Sequence, residues 1–399
     1  MSINLPPSSL PRVVIAGGGF AGLKLAQALD SSLFQIILID HHNYHQFPPL
    51  IYQVASSGLE PSSIAFPFRA AFKRKKNFIF RLANVIGVEP EQKQLITSVG
   101  EVPYDYLVLA CGGTTNYFGN EQVAKHSLPM KTLYESMNLR NVLLQNIEKA
   151  LVSDKPETRE ALLTVAIVGG GPSGVEIAGA LAEMKRYVLP KDYPDMETDQ
   201  FKIHLIDASP HLLQAMSEKS SRTAAEGLTS LGVEIHHNIM VTDYDGRVLT
   251  LGDGTKMNTR TVIWVSGIVA NTVEGIQADS LGRGKRILVD GYNEVQGIPD
   301  VFALGDQCLM TADPSYPQGH PQMAQVAIQQ AALLAKNLKA RLTGGKQQTF
   351  RYKDLGSMAT IGRNRAVAPP GSSGSSSTCA PSSQCATRSS SSSTGSGTM

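Results

Sequence analysis

Cysteine is scarce in this chain of 399 residues: Cys111, Cys308, Cys379 and Cys385 are the full complement. No two of them stand in a C-x-x-C pair or a metal-ligand spacing, which excludes a dithiol reductase of the usual design. Long apolar runs are also missing; no window approaches the roughly 18 consecutive apolar residues that a membrane-crossing helix needs. The N-terminus, with Pro6, Pro7 and Pro11 ahead of a β-like run, lacks the basic start and apolar core of a secretion signal. Charge of one sign is absent too. Thirty-six Lys and Arg against 34 Asp and Glu leave a formal net charge of +2, which argues against a nucleic-acid partner. The one basic run, Lys73, Arg74, Lys75 and Lys76, reads as a solvated face, with contact to anionic lipid as the alternative.

From Pro369 onward almost everything that builds a core is lacking. Ser, Gly, Thr and Pro dominate, and Arg388 is the only charged residue after Arg365. Such a segment cannot bury enough apolar surface to offset its ordering entropy, so residues 369–399 are expected to be disordered. The rest is rich in apolar residues. With 42% hydrophobic content, the chain can bury large cores and should divide into at least two domains.

Two glycine loops of the form G-x-G-x-x-G are the most informative feature present. Arg12 to Ala16 reads as a short, buried, β-branched strand, followed by Gly17, Gly19 and Gly22 and then a helix from Leu23 to Leu29. Gly17 permits a tight turn, Gly19 lets the backbone approach a pyrophosphate, and Gly22 lets the helix lie close to the sheet. The helix N-terminus then offers its amides to phosphate oxygens. A second β-run, Gln35 to Ile39, ends at Asp40, placed to accept from ribose hydroxyls. The pattern returns 152 residues later. Leu163 to Val168 leads into Gly169, Gly171 and Gly174, with Pro172 at an early helical position, and the strand Lys202 to Ile206 ends at Asp207. A carboxylate there favours NAD over NADP, because it would repel a 2′-phosphate.

Each first unit is followed by similar elements. In one copy, Gln94 to Ile96 and a polar turn lead to Y-D-Y-L-V-L-A-C-G-G, ending at Gly112 and Gly113. In the other, R-V-L-T-L and a turn at Asp253 and Gly254 lead to T-V-I-W-V-S-G, ending at Gly267. Gly17 to Gly112 spans 95 residues and Gly169 to Gly267 spans 98, as expected of a duplicated βαβ unit with an inserted β-meander. The copies then differ: V-F-A-L leads to Gly305 and Asp306 before an expected helix, a segment that should return to the first domain and meet its cofactor. The fold class expected is α/β, with two Rossmann-like dinucleotide-binding domains, the second inserted in the first.

Between the strands, His41 to Ala55 is rich in imidazoles, aromatics and amides. Its three histidines have no later acidic or cysteine cluster to complete a metal site, so no metal is expected. The stretch reads as lining a cofactor or substrate, or as ordinary anchoring of a loop.

These features resemble the two-dinucleotide-domain flavoprotein reductases, and specifically the type II NADH:quinone oxidoreductases. The resemblance is carried by G-G-G-F-A-G (17–22), F-P-P-L-I-Y-Q-V-A (47–55), A-C-G-G (110–113), G-G-G-P-S-G-V-E (169–176), A-L-G-D (303–306), A-Q-V-A-I-Q-Q (324–330) and M-A-T-I-G-R-N-R-A-V (358–367). It implies FAD as cofactor, held by Gly17, Gly19, Gly22, Asp40, Gly113, Gly305 and Asp306. It implies NADH as electron donor, held by Gly169, Gly171, Gly174, Asp207 and Gly267, with a membrane quinone as acceptor. Glu176 matches the acid that couples the two half-reactions; its position in a helix's first turn has the helix dipole as an alternative reason. Gln325 and Gln329 match glutamines of the quinone pocket, with a helix cap or internal amide bond as the alternative.

The implied division is residues 1–120 and 272–342 for FAD, 121–271 for NADH, 343–368 as a remnant leading to the C-terminal region, and 369–399 as the tail. The family's C-terminal amphipathic anchor is expected to be missing, since Ala368 is followed by the Ser-rich tail, which weakens peripheral attachment. The expected place is the cytoplasmic side of a bacterial plasma membrane, or solution in the absence of the anchor, with a homodimer as a candidate assembly. Cys111 and Cys308 beside the cofactor loops support the rival reading of a sulfide:quinone oxidoreductase or other flavin reductase, against that of two buried small side chains. An NADH-responsive flavoprotein sensor or scaffold is the alternative from another class.

Overall fold

The computed structural model describes residues 3–363 and 365–368; the tail expected to be disordered lies outside them. The chain forms two compact units. Among the described residues, one holds those up to Ala124 together with Pro129–Arg140 and Val265–Leu355; the other holds Lys125–Leu128, Asn141–Trp264 and those from Gly356 to Ala368.

In the first unit five parallel strands run in the order Val301–Ala303, Tyr106–Leu109, Arg12–Ala16, Gln35–Asp40, Phe78–Leu82. The continuous apolar runs are explained by burial on both faces. Val13, Ile15, Ile36 and Leu38 enter one core, with the helices Phe20–Ala28 and Ala324–Thr343; Val14, Ala16, Ile37 and Ile39 enter the other. That second core also takes Val88, Leu95 and Val102 from the antiparallel meander Val85–Glu89, Gln94–Thr97 and Gly100–Pro103.

The second unit repeats this plan. Its parallel strands run Thr261–Trp264, Thr164–Val168, Lys202–Ile206, Val233–His236, with a meander Val241–Tyr244, Val248–Leu251 and Lys256–Asn258. Even the register recurs, since Val13 pairs with Tyr106 as Val165 pairs with Thr261. The α/β fold is therefore two Rossmann-like sheets; the chain returns to the first unit at Val265, and Val301–Ala303 then joins Tyr106–Leu109 at the edge of its sheet.

Two local expectations change. The first glycine helix starts at Phe20, directly on its N-cap Gly19, and ends at Ala28. The segment after Gly305 and Asp306 is not a long helix: one 3₁₀ turn, Gly305–Gln307, leads into the strand Cys308–Met310. Burial decides this, because Cys308, Leu309 and Met310 are all interior and pair in parallel with Arg286–Val289. Beyond the long helix, Ala359–Ile361 and Arg365–Val367 form a hairpin in the second unit. A Cβ on Gly179 of the helix Pro172–Tyr187 would run into the hairpin's Gly362 backbone, so glycine there permits the close approach.

Candidate functional site

The glycines of each loop serve two different ends. Gly17 holds φ at +104°, and a Cβ there would strike the Ala110 carbonyl. A Cβ on Gly22 would strike the Gly17 carbonyl, so these two glycines answer to close packing within the protein. Gly19 differs. It caps the helix Phe20–Ala28 without a side-chain hydrogen bond, and nothing lies within 4 Å of where its Cβ would be. In the second loop Gly169 holds φ at +118°, a Cβ on Gly174 would strike the Gly169 carbonyl, and Gly171 caps Pro172–Tyr187 with nothing within 4 Å. Open space at a bare helix N-terminus is what a pyrophosphate requires.

Both strand-end acids brace these loops identically. Asp40 accepts the Gly18 N–H at 2.6 Å on one oxygen and the His42 N–H at 2.7 Å on the other. Asp207 accepts the Gly170 N–H on one oxygen and the Ser209 N–H at 2.6 Å on the other. An ionised carboxylate has about four acceptor sites, so bracing the loop leaves capacity for ribose hydroxyls.

In the first unit the loop opens onto a cavity of about 680 Å³. Gly17, Gly19, Asp40, Gly113, Gly305 and Asp306 all line it. Gly305 takes φ +64°, and its N–H is held by Gln330 Oε1 at 2.8 Å. Gly113 pairs with Ala270 and leaves no room for a Cβ against the Val269 carbonyl. Gly267 is not among the lining residues; its carbonyl accepts the Asn116 N–H at 3.0 Å, within the first unit.

The stretch after Asp40 is structured rather than a loop. Tyr44–Gln46 pairs with Ala65–Pro67, and Ile51–Ala55 is helical. His42, Tyr44 and Gln46 line the cavity, whereas His45 is buried with Nδ1 2.9 Å from the Gly18 carbonyl. Within this stretch, then, some side chains face the cavity and others anchor the backbone.

Several groups at or beside the cavity were not singled out from sequence. Lys131 Nζ lies 3.2 Å from Asp306 and brings a cation to the cavity wall. Gln307, fully buried, accepts the Cys111 N–H at 2.6 Å and donates to the Asn271 carbonyl at 2.7 Å. Asn271 closes the knot by donating to the Cys111 carbonyl at 2.8 Å. A buried amide beside Gly305 and Asp306 has no sequence signal, because its partners lie far away along the chain.

The cysteines are poorly suited to redox work. Burial pushes the Cys111 thiol up to about 12 and the Cys308 thiol up to about 11. Cys111 donates to the Ala16 carbonyl, and Cys308 accepts from Gln330 and Asn293. Neither supplies the thiolate that sulfide chemistry needs.

Glu176 is the fifth residue of Pro172–Tyr187, past the first turn in which the sequence placed it, with the Thr360 N–H 3.4 Å from its Oε1. Burial raises its carboxyl from 4.5 to about 7. Gln325 opens the helix Ala324–Thr343 and accepts the Leu355 N–H at 3.0 Å. One turn on, Gln329 donates to the Lys353 carbonyl at 2.8 Å and accepts the Lys353 N–H at 3.1 Å. The two amides therefore hold the irregular segment 353–355 along one side of the helix. Glu176 lies in the second unit and both glutamines in the first.

Two glycine cradles, each with an acid brace, define an oxidoreductase of the two-dinucleotide-domain class. The cavity, the bare helix N-terminus, Asp40 and Lys131 fit a bound dinucleotide with an anionic pyrophosphate and a hydroxylated chain. The family model described as pyridine nucleotide-disulphide oxidoreductase matches residues 11–331. A type II NADH:quinone oxidoreductase, Ndh, of Mycobacterium tuberculosis is 35% identical over 390 residues, covering 93% of this chain and 83% of the relative. A second from the same organism, NdhA, is 33% identical, covering 90% and 79%. Among solved structures, NDH2 from Plasmodium falciparum in complex with NADH superposes with a TM-score of 0.82 at 22% identity, covering 90% of this chain and 89% of that one. The chain belongs to the pyridine nucleotide-disulphide oxidoreductases and, among them, to the type II NADH:quinone oxidoreductases.

Proposed function

We propose that the chain oxidises NADH and reduces a quinone through bound FAD, without pumping protons. The observation that carries this reading is the repeated cradle: strand, glycine loop, helix and bracing acid occur twice in one α/β chain. The chemistry itself, acceptance of hydride from NADH and delivery of two electrons to a quinone, is what FAD supplies when bound.

The residues then have distinct tasks. Gly17 and Gly22 shape the first loop, Gly19 leaves room at the helix N-terminus, and Asp40, Gly113, Gly305 and Asp306 line the FAD cavity. Residues 1–120 and 272–342 are assigned to FAD and 121–271 to NADH, although Pro129–Arg140 and the residues from Val265 fold with the first unit; Gly169, Gly171, Gly174 and Asp207 serve the donor, together with Gly267 from the first unit. Glu176, whose carboxyl titrates near pH 7, holds and releases a proton at its carboxylate as the half-reactions alternate. Gln325 is assigned to the quinone, with Gln329 positioning the 353–355 segment behind it.

A lipophilic acceptor places the protein peripherally at a membrane, on the cytoplasmic side in a bacterium. Among the described residues no helix is long and apolar enough to cross one. Anaerobic stopped-flow tests the core of this proposal. NADH should bleach the flavin and added quinone should restore it; a flavin that NADH leaves oxidised, or that sulfide bleaches instead, overturns it.

A further inference from the structure

One cluster in the second unit is used by neither the glycine cradles nor the quinone reading. His204 lies on the strand Lys202–Ile206, and Glu234 and His236 lie on its neighbour Val233–His236. The parallel register pairs His204 with Glu234 and Ile206 with His236, so all three side chains leave the same face of the sheet. Leu205 leaves the other face, toward Gly174 of the glycine helix.

The three ligand atoms converge. His204 Nδ1 stands 3.1 Å from His236 Nε2 and 3.4 Å from Glu234 Oε2, and one ligand atom from each residue lies within 4.8 Å of the others. A tetrahedral ion bound at about 2.0–2.2 Å separates neighbouring ligand atoms by roughly 3.3–3.6 Å. The two separations from His204 fall within a few tenths of an ångström of that range, and the 4.8 Å limit on the set leaves Glu234 and His236 to close the rest by side-chain rotation.

We propose that His204, Glu234 and His236 bind one divalent transition-metal ion of the zinc class, with water at the remaining position. Two imidazoles and one carboxylate suit zinc, cobalt, nickel or copper rather than calcium or magnesium, which prefer all-oxygen shells. The His204 side chain is 10% exposed and that of Glu234 61%, so the set has a fixed floor and an open mouth. Asp253 adds negative charge near His236; Lys202 opposes it, with its ammonium engaged by Glu160 at 2.7 Å.

The ion would also have a route to the dinucleotide loop. The His236 carbonyl accepts the Asp207 N–H at 2.9 Å, and Asp207 braces the loop through Gly170. Occupation would tie together the two strand ends that present this acid. Without an ion, the two rings are joined by a single N–H···N bond, and the experiment separates that role from metal binding.

The full-length flavoprotein, freed of metal by chelation, is titrated with Co²⁺ as the probe. The expected result is one Co²⁺ per chain, d–d absorption at wavelengths beyond the flavin bands, and displacement by Zn²⁺. Glu234→Gln should weaken binding by about tenfold and His236→Gln by a hundredfold or more, scales typical of losses around a metal site. Glu234 is exposed, so its variant reports on the site even if His236→Gln folds poorly. Absence of stoichiometric Co²⁺, or affinity unchanged in both variants, overturns the proposal. Sulfur-to-cobalt charge-transfer absorption with unchanged affinity in the variants overturns it too, by placing the ion on cysteine.

Discussion

Thr360 offers its backbone N–H to Glu176 Oε1 at 3.4 Å, across 184 positions of sequence, where the C-terminal hairpin lies on the second glycine helix. This bond favours the charged carboxylate, but burial opposes it more strongly and the carboxyl titrates near 7 rather than 4.5. The native state therefore holds this proton more tightly than the unfolded chain does. Its stabilising contribution is complete below pH 4.5 and is lost as the pH rises through about 7, at a cost of up to about 3 kcal/mol. Glu176→Gln should match the parent in thermal stability at pH 4 and exceed it at pH 8. A variant less stable than the parent at pH 8 would show that the buried carboxylate is better compensated than its surroundings indicate.

The two kinds of loop glycine separate protein packing from cofactor space. Gly19→Ala meets no protein atom within 4 Å and keeps an ordinary backbone conformation, φ −65° and ψ −163°. Its apoprotein should melt within about 1 kcal/mol of the parent, as N-cap glycine exchanges do, yet emerge from gel filtration with little flavin. Gly17→Ala must hold φ +104° against the Ala110 carbonyl and should lose several kcal/mol of stability with or without FAD. Full flavin occupancy in Gly19→Ala would place the pyrophosphate elsewhere.

The thiols yield a prediction about what the enzyme does not use. With Cys111 and Cys308 raised to about 12 and 11, less than about 1% of either is thiolate at pH 8. Iodoacetamide should leave NADH:quinone turnover within about twofold of the untreated enzyme, and Cys308→Ser should do the same. Rapid inactivation that tracks alkylation of Cys111 would revive a thiol mechanism.

Local chemistry was readable from sequence; remote convergence was not. Gly17, Gly19, Asp40 and their counterparts lie on consecutive elements, where strand, turn and helix order dictates geometry. Gln307 and Cys111 meet across 196 positions, and Gln330 reaches Gly305 from the next helix, so neither contact leaves a motif. The cluster of His204, Glu234 and His236 depends on strand register, and one residue of slip would turn two of its members to the opposite face. The histidines grouped in sequence instead, His41, His42 and His45, diverge: His45 turns into the core while His41 and His42 line the cavity. The short strand after Gly305 and Asp306 was missed because Cys308, Leu309 and Met310 have no β-branched residue to mark them.

Gln325 is the sharpest test of where the acceptor sits. Gln325→Leu removes the acceptor of the Leu355 N–H, an exposed bond whose loss costs about 1 kcal/mol, so the fold should survive. If the amide also meets the quinone, single-turnover reoxidation of the flavin by quinone should slow tenfold or more, while its reduction by NADH stays within about twofold. Gln329→Leu is the control: both ends of that amide serve the Lys353 backbone, so its effect should fall on stability and on both half-reactions alike. Equal loss in the two half-reactions for Gln325→Leu would reduce it to the same structural role. A selective loss would instead place the quinone at the N-terminal turn of the helix Ala324–Thr343, beside the cavity that Met323, Ala324 and Ala327 help to wall.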